Sequence, residues 1–264
     1  MVLAGAMLAP AADAQDASIA EALDRALEVR FGYVITGNRE VDAMSEAGLA
    51  ALSREVTARS AIEPEAPRGV NLDEDELIFF PLIYWPVTAD AQPVSERAAT
   101  NINVYLRSGG MIIFDTRDGG SGMRGGVHPG LERVMQGLEI PALARADADH
   151  VLSRTFYLLR DYPGRMGSAE VWVEANPDGS ARDGVSGVVI GSADWVGAWA
   201  RAESGNPMLP VEGGERQREM AYRFGVNLAM YALTGNYKTD QVHVPAILER
   251  LGDGRRAAPQ SLQP

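Results

Sequence analysis

Apolar residues recur along this chain in two rhythms, and the stretch Leu77–Asp118 carries both. Leu77–Val87, LIFFPLIYWPV, is an almost unbroken apolar run. Ala98, Ile102 and Leu106 then repeat at every fourth position, Gly109-Gly110 interrupts, and a second apolar run, MIIFD, occupies Met111–Asp115. Strands covered by helices on both faces read as continuous apolar runs, and a period near four places side chains on one stripe of a helix. The pattern is strand, helix, strand. Such a crossover within one sheet is right-handed and makes its two strands parallel.

The same rhythms extend in both directions. Phe31–Thr36 predicts a strand, and Val41–Arg59 a long helix with Leu49, Leu52 and Val56 inward. Strands are predicted near 31–36, 77–83, 111–115 and 185–191, with a further one at Glu170–Ala175. Helices are predicted at Ala17–Leu27, at Pro129–Leu138, from Trp195, at Glu215–Leu233 with Gly235 as its cap, and at Val242–Leu251. Glu63–Glu76, rich in proline and carboxylates, reads as a surface loop, and Thr116–Gly126 as a glycine-rich one. The expected organisation is a signal-like or linker segment and short helix over 1–28, one α/β domain with a mainly parallel central sheet over 29–251, and a disordered tail over 252–264.

Charge and composition narrow the chemistry. Against 24 Lys and Arg stand 36 Asp and Glu, a net charge of −12, and no basic run occurs. Binding to a phosphate backbone needs a basic stripe, so nucleic acid is not an expected partner. Cysteine is absent, which removes disulfides, thiolate metal sites and cysteine nucleophiles. The start, MVLAGAMLAPAADAQ, has a small-x-small site at Ala12-Asp13-Ala14 but lacks a basic segment before it. It reads as a trimmed export signal, as a piece of a longer chain, or as an Ala-rich start. No run has the ~18 apolar residues of a membrane span.

In open parallel sheets ligands bind beyond the carboxyl ends of the strands. The loops meeting there bring Thr36 and Asn38; Tyr84 and Trp85; Asp115, Arg117 and Asp118; and Ser192, Asp194 and Trp195, with His150 bordering them. The candidate pocket is therefore Asn38, Tyr84, Asp115, Arg117, Asp118, His150, Asp194 and Trp195. Asp115 is expected to organise its turn and to orient Arg117. A catalytic version would use Asp115, Asp194 and His150 in a hydrolase or transferase. A sugar- or nucleotide-binding version would need Tyr84 or Trp195 exposed as a stacking surface. Asp115, Asp118, His150 and Asp194 could supply metal ligands, but no H-x-x-x-H or D-x-D spacing supports them, and no metal or cofactor is expected. For each residue a purely structural role, such as capping or core packing, is the alternative.

Several segments together resemble a known family. FFPLIYWPV, YLRSGGMIIFDTRD, DHVLSRTFY, GVVIGSADWVGAW and RQREMAYRFGVNLAMYALTGNY are similar, in order and spacing, to the bacterial domain-of-unknown-function family numbered four thousand one hundred fifty-nine. The resemblance covers about Phe31 to Leu251. It implies a flavodoxin-like three-layer sandwich of the class I glutamine amidotransferase-like superfamily. It also implies a place at the periplasmic side of the bacterial envelope, where related modules follow membrane-spanning, aerotolerance-operon-like ones, with protein partners or an unidentified small molecule. Working amidotransferases carry a Gly-x-Cys-x-Gly turn after the third strand. Here the turn is Asp115-Thr116-Arg117-Asp118, with neither thiol nor flanking glycines, so glutaminase chemistry is not expected. The implied function is a non-catalytic binding or scaffold domain.

Overall fold

A computed structural model describes residues 28–120, 128–182 and 184–253, with side chains through 235. The expected helix at Ala17–Leu27, the signal-like start, most of the glycine-rich loop and the tail beyond 253 lie outside the described residues. Val29–Asp240 forms one compact unit. A second unit comprises Met1–Glu28 with Gln241–Pro264, and in it the backbone of 241–253 is helical.

The larger unit is a mixed α/β structure around a seven-stranded, mostly parallel sheet. In chain order it has β1 (Arg30–Val34), α1 (Arg39–Arg59), β2 (Glu65–Val70), β3 (Leu82–Pro86), α2 (Glu96–Arg107), β4 (Met111–Asp115), α3 (Pro129–Met135) and β5 (Leu143–Arg145). There follow β6 (Pro163–Gly164), β7 (Gly167–Ser168), β8 (Trp172–Glu174), β9 (Val188–Gly191), α4 (Trp195–Trp199) and α5 (Gly214–Asp253), the last belonging to this unit as far as Asp240. The sheet runs β2-β1-β3-β4-β9-β8-β5. The pairs from β2 through β9 are parallel, β8 runs antiparallel to both its neighbours, and β6 and β7 form a separate small hairpin.

Alternation along the strands builds three layers. Phe31, Leu82, Tyr84, Met111, Ile113 and Val189 pack with Leu49, Leu52 and Val56 of α1, with Trp195 and Trp199 of α4, and with Phe224 and Leu228 of α5. Ile83, Trp85, Ile112, Phe114, Val188 and Ile190 face the other way, onto Ala98, Ile102 and Tyr105 of α2 and Leu131 and Val134 of α3. The stripe read from α2 is thus the buried one, except that Tyr105 replaces Leu106 as the fully buried residue. Tyr105 donates its hydroxyl proton to the Phe80 carbonyl at 2.7 Å and accepts from the Met111 N–H at 3.1 Å, tying the helix end to the start of β4.

Three predicted elements differ, and one strand was not predicted. Glu65–Val70, expected within a loop, is the edge strand β2. One flank lies outside the sheet, so its polar composition is tolerated, and Pro67, which has no N–H to offer, sits where the β1–β2 register shifts. The strand predicted at 77–83 forms later, at Leu82–Pro86, after a 3-10 turn at Leu77–Phe79; composition alone cannot place a strand within a long apolar run. The short strand β5 went unpredicted. Gly235 does not end its helix: the helical backbone continues to Asp253. A Cβ at Gly235 would lie 2.7 Å from Val185 Cγ1, so this glycine allows close packing rather than a cap.

Candidate functional site

The carboxyl ends of the parallel strands form two contrasting regions. At β4 and β9 lies a filled polar knot around Asp115, which has no exposed surface. Register places Asp115 beside Pro86 and Gly191, so its side chain leaves the sheet between β3 and β9. Its Oδ2 accepts from the Tyr84 hydroxyl at 2.9 Å and the Trp195 N–H at 2.8 Å. Its Oδ1 accepts from the N–H groups of Arg117 at 3.0 Å and Asp194 at 3.2 Å. Burial, joined by the charge of Asp194, pushes this carboxyl up to about 6, although its hydrogen bonds pull the other way. Burial, with Asp115 next in effect, also raises the Tyr84 phenol well above its ordinary range.

Two residues of the knot are strained. Arg117 and Asp194 have φ of 57° and 55°, left-handed values uncommon for residues other than glycine. Asp194 precedes α4 without capping it through its side chain. Its Oδ2 pairs with the Arg165 Nε from the β6–β7 hairpin, while its Oδ1 and the Arg117 Nε are buried without a hydrogen-bond partner among the described residues. The hairpin also donates the Arg165 and Met166 N–H groups to the carbonyls of Asp194 and Ala193, and so closes over the knot. Asp118 accepts from the Thr116 hydroxyl at 2.7 Å and the Gly120 N–H at 3.2 Å, shaping the turn.

The predicted pocket residues therefore do not line one cleft. Tyr84, Asp115, Asp194 and Trp195 are buried; the Trp195 ring packs on Phe224 and offers no stacking face. Asp115 holds the Arg117 backbone, as expected of it, but no hydrogen bond joins the guanidinium to it. Asn38 caps α1, accepting from the N–H groups of Glu40 and Val41. His150 is at the opposite end of the sheet. Its Nε2 meets the Arg182 carbonyl at 2.8 Å, its Nδ1 accepts from the Leu152 N–H at 3.2 Å, and its ring lies edge-on to Tyr231. Arg182 in turn bonds to the end of β8, beside the start of β9, where the parallel strands have their amino ends. Sequence adjacency of Asp149, His150 and Arg154 carried no information about which end of the sheet they reach.

The second region is open. At the ends of β1, β2 and β3, on the α2 side, is a crevice of about 460 Å³. Its walls come from the turn after β1 (Ile35, Thr36), the turn after β2 (Asn71, Asp73), the turn after β3 (Thr88, Gln92) and the start of α2 at Ser95. This is where the topology reverses: β1 leads through α1 to β2 on one side, and the chain then returns to β3 on the other. With α1 and α2 on opposite faces, the loops diverge and leave a gap, the position where ligands bind in open α/β sheets. Thr36 and Trp85 were the nearest residues that the sequence suggested. Asn71 and Asp73 were missed because β2 was unrecognised, and without it the turn that follows has no place at the sheet edge; Ser95, the cap of α2, reaches the crevice only through its contact with Asp73.

Polar contacts brace the crevice. The Ser95 hydroxyl accepts from the Ala98 N–H at 3.0 Å and donates to Asp73 Oδ1. The Asn71 Oδ1 accepts from the Asp73 N–H at 3.0 Å, and the Asn101 amide donates to the Leu72 carbonyl at 2.9 Å. Thr36 gives its hydroxyl proton to Asp42 at 2.6 Å. Among the described residues no three His, Asp or Glu side chains assemble into a group able to hold a metal ion, and no helix is long and apolar enough to cross a membrane.

The fold and this site define a mostly parallel α/β domain with a strand-end crevice and no cysteine nucleophile. The chain belongs to the DUF4159 family: the model of that domain of unknown function matches residues 30–233. No curated protein matches it.

Proposed function

We propose that this chain is a non-catalytic ligand-binding or scaffold domain of a bacterial cell-envelope protein on the periplasmic side, with the β1–β3 crevice as its binding place. The observation that carries this reading is the contrast between an open crevice at the topological switch and an enclosed Asp115 carboxylate whose oxygens are taken up by four donors of its own chain. The order β2-β1-β3-β4-β9 of five parallel strands supports placing the domain among flavodoxin-like folds, and with the family resemblance it favours the class I glutamine amidotransferase-like superfamily. The absence of cysteine argues against glutaminase activity. A hydrolase or transferase built on Asp115, Asp194 and His150 has little support, because general acid–base work needs groups within reach of one substrate. His150 bonds at the amino ends of the strands and Asp115 at their carboxyl ends.

The test is a thermal-shift screen of the full chain with metal ions, nucleotides, sugars and cell-wall fragments, since a ligand that binds only the folded state raises Tm. Each hit is repeated on Gln92→Trp, which fills the crevice from an exposed position. Hits abolished by this variant, with its own melting point unchanged, support the site. Hits that all survive it overturn the crevice as the binding place.

A further inference from the structure

Resting on that site, we infer that the crevice takes an uncharged, polyhydroxylated ligand of the saccharide class and excludes phosphates and nucleotides. In a strand-end crevice the attraction for anions comes from the N-terminus of the following helix, whose first N–H groups and dipole face the ligand. Here that helix is α2, and its start is already answered from within the chain. Ser95 caps it and donates its hydroxyl proton to the Asp73 carboxylate, so a fixed negative charge lies where a phosphate would need to sit. Among the described residues Asp73 is the sole charged residue in the crevice wall, and no lysine or arginine is part of it. A second anion would meet a carboxylate without a compensating cation, in a protein whose net charge is −12.

What remains is a mixed set of amide groups and one carboxylate oxygen. The Asn71 amide nitrogen, the second Asp73 oxygen and the Gln92 amide oxygen have no partner among the described residues, whereas Thr36 and Ser95 are satisfied by Asp42 and Asp73. A donor and two acceptors in one crevice wall suit vicinal hydroxyl groups, each of which both gives and takes a hydrogen bond. Ile35, 51 % exposed at the rim, and Pro93 supply apolar surface for the C–H face of a sugar ring. The carboxylate makes charge-assisted hydrogen bonds with hydroxyls, about twice as strong as neutral ones.

The experiment titrates the full-length chain with maltose and chitobiose as neutral probes and with AMP and inorganic phosphate as anionic ones, read by thermal shift and calorimetry. Saturable binding of a saccharide, with no response to AMP or phosphate, is expected. Asp73→Asn keeps the shape and an acceptor for Ser95 but removes the charge. It should weaken saccharide binding about tenfold, the factor for roughly 1.4 kcal/mol, and lower the barrier to AMP. Each variant is compared with its own ligand-free melting point. Binding of AMP or phosphate to the wild type, abolished by Gln92→Trp, would overturn the ligand class while leaving the site intact. Saccharide binding unaffected by Gln92→Trp would overturn the site itself. Silence from both saccharides overturns the inference, and the broader screen then decides the site.

Discussion

The two carboxyl-terminal edges of the same sheet solve the same problem in opposite ways. Where β4 and β9 end, one buried carboxylate, Asp115, accepts from four donors and the β6–β7 hairpin closes over it. Where β1 and β3 end, the loops part and the polar groups brace the walls without filling the space between them. The difference is one of topology before chemistry. Adjacent strands whose helices lie on opposite faces leave a gap, while β4 and β9 are joined by a long excursion that supplies its own lid. A perturbed carboxyl usually marks a functional site. Asp115 warns that a structural knot produces the same signature.

If the knot holds this edge together, removing its centre should have the largest effect. Asp115→Ala leaves the Tyr84 hydroxyl and three N–H groups without their acceptor, each a loss of about 1–3 kcal/mol, offset in part by relief of a buried charge near Asp194. A net loss of about 3 kcal/mol is expected in urea unfolding. A loss below about 0.5 kcal/mol, as at ordinary surface sites, would make the two edges equivalent.

The pH dependence sharpens the same contrast. Burial raises the Asp115 carboxyl from 3.8 to about 6, so over that interval the folded state binds more protons than the unfolded one. Its contribution to stability is therefore fully present below its unfolded value and lost as pH rises through about 6. Relative to Asp115→Asn, the wild type should gain about 2 kcal/mol on going from about pH 7 to about pH 4, at 1.36 kcal/mol per pKa unit, the last part of the gain coming only below the unfolded value. Glu219, held low mainly by its hydrogen bonds to Arg59, has the opposite sign and is common to both proteins. Parallel stability profiles for the two would remove Asp115 as a titrating group.

Beside the open edge the effects should be smaller. Asn38→Ala removes the cap of α1, and a melting experiment should show a loss of about 1 kcal/mol with ligand binding unchanged, because Asn38 is not part of the crevice wall. Gln92→Ala, exposed in that wall, should leave stability within about 0.5 kcal/mol while weakening whatever binds there. A stability loss as large as that of Asp115→Ala would mean that the crevice wall is as interlocked as the knot.

How much was legible follows from which interactions are local. The spacing of Ala98, Ile102 and Leu106 foretold a helix against the sheet, because a helical stripe is written in neighbouring residues. The run MIIFD foretold a strand buried on both faces, since only such strands dispense with polar alternation. The lack of cysteine excluded thiol chemistry outright. Asp115 was identified as the organiser of its turn, since its position at a strand end is itself local. What only the tertiary structure decided depends on partners far away in the chain. β2 is a strand because β1 offers its edge, not because EAPRGV favours one. Gly235 serves close packing against Val185, 50 positions away in the chain, and not the end of its helix. Tyr84 and Trp195 are core because Asp115 and Phe224 enclose them, and His150 faces the opposite end because Arg182 and Tyr231 hold it there. The crevice belongs to the same class: Thr36, Asp73, Thr88 and Ser95 meet only once the order of strands is set, and that order is a property of long-range pairing.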